Sequence, residues 1–169
     1  AAHACGDPGI VFLDALQRGN PIRTRVLRAT NPCGELPLLP GESCLLGSIN
    51  LARMVDGRGK LKRELYEETI ATAVRFLDDI IDIGQYPLEF IAETTKASRK
   101  IGLGFTGLAD ALIKADLPYD SEEGRRYAAE LTRIMRETAH EVSRELAAEK
   151  GCFPLWEESV YYPETPMRN

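Results

Sequence analysis

The sequence predicts a mainly α-helical fold with a few short strands. After residue 61, apolar residues recur every three or four positions, which is typical of amphipathic helices. Before residue 56, the apolar runs are short and rich in β-branched residues, which favours strands. A length of 169 residues suits one domain. We therefore divide that domain into a loop and strand segment (1–60), a helical segment (61–151) and a C-terminal tail (152–169).

The loop and strand segment is predicted to begin with a short helix. Asp7 is expected to be its N-cap and Pro8 its first residue, because these residue types favour those positions. Apolar residues then follow at helical spacing until Gly19-Asn20-Pro21, which is expected to end the helix.

Two strands are predicted further along this segment. The first covers residues 22–29, where three arginines alternate with apolar residues and are expected to face solvent. The second covers residues 43–55, with a bend at Gly47. Residues 56–59 (DGRG) then form a turn.

Four helices are predicted in the helical segment. The first three cover residues 61–83, 87–98 and 103–115. The fourth opens with Asp120 as its N-cap and Glu123 three residues later, which is the pattern of a capping box. It ends at Lys150-Gly151, since glycine commonly follows a helix.

Composition excludes several classes of protein. The chain is 44% hydrophobic and 28% charged, with a net charge of -5, so no basic surface for a nucleic acid polymer is expected. No apolar run approaches the ~20 residues that cross a bilayer, and no signal peptide is recognisable, which predicts a cytoplasmic protein without a membrane partner. Four cysteines then indicate reduced or cycling thiols, and two histidines give little support for zinc.

The segment Asn31-Pro32-Cys33-Gly34-Glu35 holds the most reactive combination of side chains. In an extended strand, Asn31, Cys33 and Glu35 would project to one side. An amide can then orient a hydroxyl, a carboxylate can take its proton, and a thiol can act as nucleophile or one-electron carrier. The same residues also fit a type I turn beside buried cysteines, and the residue pattern alone leaves both interpretations open.

Residues 30–55 (TNPCGELPLLPGESCLLGSINLARMV) resemble the active-site segment of the large, catalytic chain of ribonucleotide reductase, most like the adenosylcobalamin-dependent class II family. ACGDPGIVFLD upstream and RKIGLGFTGLADAL downstream also resemble this family. The resemblance implies that the chain is a segment of a ten-stranded α/β barrel. The sequence departs from the family at Leu36, Gly41 and Leu45, where Gln, an aromatic residue and Asn are expected.

The resemblance also implies a role for four residues. Cys33 matches the cysteine whose thiyl radical removes the 3′ hydrogen of the ribonucleotide. Glu35 matches the general base on the 3′-hydroxyl, and Asn31 matches the amide that binds the ribose hydroxyls. Cys44 matches one of two cysteines that supply the reducing electrons and end as a disulfide, and its partner has no counterpart in this sequence.

The partners implied by the resemblance are a ribonucleotide, a thioredoxin-like reductant and the remaining barrel segments of the reductase. The implied cofactor is adenosylcobalamin, bound mostly by parts outside this sequence, because no side chain here can generate the radical. Both ends of the sequence look cut, so we expect a segment that is inactive alone. The alternative is a non-catalytic, truncated helical module that only packs against a partner.

Two other motifs are expected to be structural. Residues 102–107 match G-x-G-x-x-G, but the residues before them have a helical pattern, so the strand that a dinucleotide site needs is not expected. These glycines are predicted to let two helices approach closely. Glu137 and His140 form half of a di-iron motif whose second half is missing, and they are predicted to lie on a solvated face.

Two further features are also expected to carry no chemistry. Asp78, Asp79 and Asp82 form an acidic cluster on one predicted helix, and like charges at this spacing are expected to face water rather than bind a metal ion. Cys152 lies among large apolar residues, so a buried, inert thiol is predicted there.

Overall fold

The computed structural model describes residues 2–169, and helices dominate it. The helices are α1 (Ala2–Cys5), α2 (Leu13–Arg18), α3 (Leu51–Met54), α4 (Arg63–Ile83), α5 (Glu89–Ser98), α6 (Leu108–Lys114) and α7 (Glu122–Lys150), with a 3-10 helix at Trp156–Glu158. The strands are β1 (Ala29–Thr30), β2 (Pro37–Leu38), β3 (Leu45–Asn50) and β4 (Ile101–Thr106). The predicted fold class is therefore confirmed.

Helices α4 and α7 form the centre of the main core. Each helix presents one apolar stripe to the other, as its sequence predicts. Tyr66 of α4 is fully buried, and its hydroxyl donates a hydrogen bond to the Leu131 carbonyl of α7 at 3.3 Å. The buried apolar residues of the two stripes are Tyr66, Ile70, Val74, Leu77, Ile81, Leu131, Ile134, Met135, Val142 and Leu146.

Strands β3 and β4 lie against α4 and form a parallel pair. The register runs from Leu45 opposite Ile101 to Asn50 opposite Thr106. Strands β1 and β2 form a separate antiparallel hairpin. Among residues 2–169 the strands make these two small sheets and close no barrel, which agrees with the prediction of a few short strands.

The predicted helix over residues 103–115 is wrong in its first part. Residues 101–106 form strand β4, and helix α6 begins only at Leu108. The physical reason is an alternation that suits a strand: Ile101, Leu103 and Phe105 pack on the core, and small glycines lie between them. Of the motif's glycines, Gly102 and Gly104 lie in strand β4, whereas Gly107 precedes α6. A Cβ at Gly107 would lie 2.5 Å from Asn50 Oδ1 and 3.1 Å from the Ala52 amide nitrogen, so the expected close approach of two helices is found only there, between α6 and the start of α3.

The predicted strand over residues 43–55 divides into two elements. Strand β3 ends at Asn50, whose side-chain oxygen accepts a hydrogen bond from the Ala52 amide at 3.0 Å and so caps the short helix α3. Gly47 lies inside the strand and makes no bend, contrary to the prediction. The turn predicted over residues 56–59 is confirmed, because the Asp56 carboxylate accepts from two amides of the turn.

Two predicted helix starts are wrong. Ser121, rather than Asp120, caps α7, because its hydroxyl oxygen accepts a hydrogen bond from the Gly124 amide at 2.9 Å. Helix α2 begins at Leu13 and not next to Asp7. Ile10 and Phe12, which lie between Asp7 and Leu13, are 71% and 76% exposed. A helical turn in this stretch would therefore have no core to pack against.

A smaller core joins the N-terminal residues to the tail. Its buried residues are Ile22, Leu27, Leu39, Phe153 and Met167. The strand predicted over residues 22–29 is largely wrong, since Ile22 makes a single bridge to Ser159 and only Ala29 belongs to β1. The arginines of this stretch are exposed, as predicted.

Within residues 2–169, no helix is both long enough and apolar enough to cross a membrane.

Candidate active site

Cys33 lies in the loop of the β1–β2 hairpin. Ala29 pairs with Leu38 and Thr30 with Pro37, so residues 31–36 connect the two strands. The Asn31 amide donates to the Leu36 carbonyl at 3.2 Å, which closes the loop at its base. The short strands and this hydrogen bond present the thiol at the exposed end of the hairpin.

The loop adopts the turn that the sequence allowed, and the extended interpretation is wrong. The Gly34 amide donates to the Asn31 carbonyl at 3.0 Å, as in a β-turn. Gly34 has φ +86°, a left-handed conformation that glycine adopts without a Cβ clash. Cys33 and Glu35 are exposed and Asn31 is half-buried, so the turn does not bury this cysteine.

The Asn31 side chain holds the loop and keeps a donor available. Its Oδ1 accepts a hydrogen bond from the Leu36 amide at 3.0 Å, which fixes the orientation of the side-chain amide. Within residues 2–169 its Nδ2 makes no hydrogen bond, so this group remains able to donate to a hydroxyl or carbonyl oxygen.

Cys44 is half-buried beside the hairpin, just before β3. Cys44 and Leu36 both lie near Gly102 of β4. A Cβ built on this glycine would lie 3.5 Å from the Cys44 sulfur and 3.7 Å from the Leu36 side chain. Both distances are ordinary van der Waals contacts, so the end of the hairpin loop and the second thiol both border Gly102. The structure thus places Leu36, at the end of the loop, near Cys44.

The Cys44 thiol is held in its protonated form. Burial raises its pKa to about 11; the Lys100 charge lowers it, while the charges of Glu42 and Glu35 raise it. The Glu35 carboxylate therefore acts on Cys44 from the loop. A thiol of this kind gives up its proton only when its surroundings change.

A buried ion pair lies between the hairpin and Cys44. The Lys100 ammonium donates to Glu42 Oε2 at 2.7 Å and to the Pro37 carbonyl of β2 at 2.9 Å. The same Glu42 oxygen accepts from the Leu39 amide at 2.8 Å. The Glu42 side chain is fully buried, and its second oxygen, Oε1, has no hydrogen-bond partner among residues 2–169.

The departure from the family pattern at Gly41 has a structural counterpart. Gly41 has φ +76°, and a Cβ built there would lie 2.6 Å from the ring of Phe90 on α5. The Phe90 ring therefore fills the space in which a side chain at position 41 would lie. An aromatic residue is still present at this place, but α5 supplies it.

The prediction that the acidic cluster on α4 faces water is right for Asp79 and Asp82, which are exposed, and wrong for Asp78. Asp78 is fully buried, and its carboxylate accepts hydrogen bonds from Arg99, Lys150, Arg168 and Asn169. Oxygens of Asp78, Asp79 and Asp82 lie within 4.8 Å of one another, but the three cationic side chains neutralise them. The cluster is a structural ion-pair network.

Two other expectations have clear outcomes. Glu137 and His140 are exposed, and Glu137 forms an ion pair with Arg133, which confirms the solvated face. Cys152 is only half-buried, contrary to the predicted burial, because it follows the end of α7 at the edge of the smaller core.

Glu42 and Lys100 could not be identified from the sequence as neighbours of Cys44, and neither could Gly102 of the glycine motif. Glu42 stands two residues before Cys44, and this proximity is the only signal that the sequence offers. Lys100 and Gly102 lie almost 60 positions further on, and only the parallel pairing of β3 with β4 brings them to the thiol.

A parallel strand pair that packs against helices is typical of an α/β protein, and here one thiol lies on a hairpin and another at a strand start. The family model described as ribonucleotide reductase, barrel domain, matches residues 1–166. The chain therefore belongs to the ribonucleotide reductase barrel-domain family, as its motifs indicated.

Curated relatives support this assignment along the whole chain. It is 52% identical to the vitamin B12-dependent ribonucleoside-diphosphate reductase of Mycobacterium tuberculosis strain H37Rv, over 100% of this chain and 24% of that protein. It is 46% identical to the Thermoplasma acidophilum protein of the same name, over 96% of this chain and 22% of the relative. The ribonucleoside-diphosphate reductase subunit alpha of Chlamydia trachomatis is 38% identical over 92% of this chain. The chain thus spans about a quarter of the length of its more similar relatives.

Proposed function

We propose that this chain forms the catalytic segment of a ribonucleotide reductase, which replaces the 2′-hydroxyl of a ribonucleotide by hydrogen. The observation that carries the proposal is the Cys33 hairpin beside the Cys44 thiol, in a chain that is 52% identical to a reductase. We further propose that the segment acts in the cytoplasm and is inactive without the rest of the barrel, since it corresponds to 24% of that relative.

In this proposal, Cys33 carries the radical chemistry. After its thiol has lost a hydrogen atom, the sulfur removes the 3′ hydrogen of the ribose, so an S–H bond forms and a carbon radical remains. This radical makes the neighbouring 2′ C–O bond labile. The exposed position of Cys33 at the end of a hairpin suits insertion between other barrel strands, which would shield the radical from water.

Asn31 and Glu35 are proposed to hold the ribose. Glu35 accepts the proton of the 3′-hydroxyl, and Asn31 Nδ2 donates to a ribose hydroxyl oxygen. Support comes from the Asn31 side chain, whose Oδ1 is already fixed by the Leu36 amide at 3.0 Å, so only its nitrogen is left for substrate.

Cys44 is proposed to supply reducing electrons together with a second cysteine of the longer protein. Two thiols give up two electrons and two protons and form a disulfide, while the 2′ oxygen leaves as water. A thioredoxin-like dithiol then reduces the disulfide through thiol–disulfide exchange. The placement of Cys44 beside the end of the hairpin loop supports this role.

We propose adenosylcobalamin as the radical source of the whole enzyme, because the relatives from Mycobacterium tuberculosis and Thermoplasma acidophilum are named vitamin B12-dependent. When bound, this cofactor supplies the radical that no side chain can generate. Cys33 lies on an exposed loop, and the cavities of about 350 to 610 Å³ found in residues 2–169 are lined by other residues. We therefore assign no residue of this chain to cofactor binding.

A segment exchange tests the proposed function. Residues 1–169 replace the matching segment of the Mycobacterium tuberculosis reductase, and formation of deoxyribonucleotide is measured with adenosylcobalamin and a dithiol. We expect turnover by this chimera and none by the isolated chain. The Cys33→Ala chimera should lose activity by several orders of magnitude, since the radical carrier is gone.

Cys152→Ala is the matched control, because it removes a thiol of the same chain away from the hairpin and should leave turnover unchanged. A folded chimera without turnover would contradict the proposal and favour a non-catalytic module. Full turnover of the Cys33→Ala chimera would contradict the assignment of the radical to this cysteine.

A further inference from the structure

The buried pair of Glu42 and Lys100 has no role in the reaction as described so far. Its Glu42 side chain is fully buried and its Lys100 side chain is 22% exposed. Taking such charges out of water costs more than their attraction usually returns, so a buried pair of this kind is weak support for stability alone. Stability alone therefore does not explain the presence of this pair.

The Glu42–Lys100 pair lies between the two thiol-bearing segments. Lys100 precedes β4, whose first residue, Ile101, pairs with Leu45 directly after Cys44. Its ammonium reaches across to the Pro37 carbonyl in β2 of the hairpin at 2.9 Å. One side chain thus connects the hairpin of Cys33 to the strand pair of Cys44.

The two carboxylate oxygens of Glu42 differ in their hydrogen bonding. Oε2 accepts from Lys100 and from the Leu39 amide, whereas Oε1 is buried without a partner in residues 2–169. Buried polar atoms are nearly always hydrogen-bonded, so an orphaned carboxylate oxygen is costly. The Lys100 ammonium, which binds only Oε2, is the ionic partner that neutralises this carboxylate, and Glu42 lies two residues from Cys44 in the chain.

We propose that Glu42 and Lys100 are positioning residues for the redox thiol: their ion pair holds the hairpin against the strand pair, and their opposite charges control the reactivity of Cys44. The proposal rests on the redox role of Cys44 given above. The charged groups that act on this thiol are Lys100 from the start of β4, Glu42 from its own segment and Glu35 from the hairpin loop. Lys100 favours the thiolate, and the two carboxylates oppose it.

Two charge-removing variants separate this role from simple packing. Lys100→Met leaves Glu42 unneutralised, so the Cys44 thiolate becomes less favourable. Glu42→Gln keeps an oxygen that can accept from Lys100 and Leu39 but removes the negative charge, so the thiolate becomes more favourable. The two variants should shift the reactivity of Cys44 in opposite directions.

The experiment uses the chimeric reductase at pH 8 with a small aromatic disulfide as the labelling reagent. Peptide mass spectrometry then follows labelling of Cys44 separately from other thiols. The labelling rate of Cys44 should fall about threefold for each unit by which its pKa rises, and rise about threefold for each unit by which its pKa falls. The factor is not tenfold, because a thiolate of lower pKa is more abundant but less nucleophilic. We expect slower labelling in Lys100→Met, faster labelling in Glu42→Gln, and a rate near wild type in Lys100→Arg.

Labelling of Cys152 in the same digest is the internal control and should not change, because this thiol lies in another part of the chain. Faster labelling in both charge-removing variants would indicate loosened packing and would overturn the proposal, as would unchanged rates in both. If Lys100→Met fails to fold, the double variant Lys100→Met/Glu42→Gln replaces it, and it should label more slowly than Glu42→Gln alone.

The outcome is independent of turnover. A chimera that labels as expected but forms no deoxyribonucleotide contradicts the proposed function and not the charge control of Cys44. A chimera that turns over normally, with no opposed change in labelling, contradicts the role of Glu42 and Lys100 and leaves the proposed function in place.

Discussion

Arg99 and Asp78 form a buried ion pair that joins the end of α5 to the middle of α4. The Arg99 guanidinium donates to Asp78 Oδ1 from Nε at 3.0 Å and from Nη2 at 2.6 Å. The two side chains are 4% and 0% exposed. Two guanidinium N–H groups thus converge on one carboxylate oxygen, which makes a charge-assisted pair and fixes the orientation of the Arg99 side chain. Arg99 ends α5 in a left-handed conformation, so the pair also sets the direction in which the chain enters β4.

Removing the Asp78 carboxylate should destabilise the chain strongly. Asp78→Ala leaves Arg99 buried without its main partner, for which we expect a loss of about 3–5 kcal/mol in the free energy of unfolding. Asp79→Ala is the control on the same helix, because Asp79 is half exposed and pairs only at the surface, and it should cost about 0–1 kcal/mol. Urea unfolding followed by circular dichroism measures both; equal losses would contradict the importance of burial.

The same carboxylate predicts acid sensitivity. Burial raises the pKa of Asp78, but the hydrogen bonds from Arg99 and Lys150 and the nearby positive charges outweigh this and leave it below its ordinary value of 3.8. A lowered folded-state pKa means that the stabilisation is complete above pH 3.8 and is lost as the pH falls through the folded pKa. The difference in unfolding free energy between wild type and Asp78→Asn should therefore begin to shrink as the pH falls below about 4. A constant difference down to pH 2 would contradict the linkage.

Gly102 should accept a small side chain only if Leu46 moves. A Cβ there would lie 2.4 Å from the end of the Leu46 side chain in the opposing strand, but this side chain is 56% exposed and can change rotamer. We expect Gly102→Ala to lose no more than about 1 kcal/mol in the free energy of unfolding. Gly104→Ala is the matched control in the same strand, where nothing lies within 4 Å, and it should be neutral or slightly stabilising. Equal effects of the two variants would contradict this account.

The two faces of α4 should respond differently to truncation. Ile70 is fully buried against α7, so Ile70→Ala should cost about 2–5 kcal/mol through lost burial and a cavity. Phe76 is 61% exposed, and Phe76→Ala should change the stability of the chain by no more than about 0.5 kcal/mol. Thermal unfolding of both variants checks the difference.

Exposed apolar residues should make the chain associate. Leu46 and Phe76 are 56% and 61% exposed and line one surface together with Leu103. Sedimentation of the chain alone is expected to show concentration-dependent oligomers, and Phe76→Glu should reduce them. A chain that stays monomeric at high concentration would contradict this expectation.

Gly41 and Phe90 should be coupled. An aromatic residue at position 41 would meet the Phe90 ring and a left-handed backbone, so Gly41→Tyr should cost about 1–3 kcal/mol. Phe90→Ala should recover part of that loss, because it vacates the space. A double-mutant cycle gives the coupling, and additive losses would show that the ring does not limit position 41.

The long helices and the candidate loop could be predicted from the sequence because both depend on nearby residues. The α4 stripe from Tyr66 to Ile81 repeats at helical spacing, and the Asn31–Gly34 turn follows from its residue types. The NPCGE motif then identified the family.

Features that depend on distant residues could not be predicted in this way. Strand β4 depends on its pairing with β3 more than 50 positions earlier, because its own six residues are too few to distinguish a strand from the start of a helix. Burial of Asp78 depends on Arg168, which is 90 positions away. The ion pair of Glu42 with Lys100 spans 58 positions, and no local pattern connects them.

The long sequence separations around Asp78 have a consequence for folding kinetics. Its partners lie 21, 72 and 90 positions away, so their contacts can form only after large loops have closed. We therefore expect this network to assemble late, after α4 and α7 have docked. Substitutions at Asp78 should accordingly accelerate unfolding and leave the refolding rate nearly unchanged.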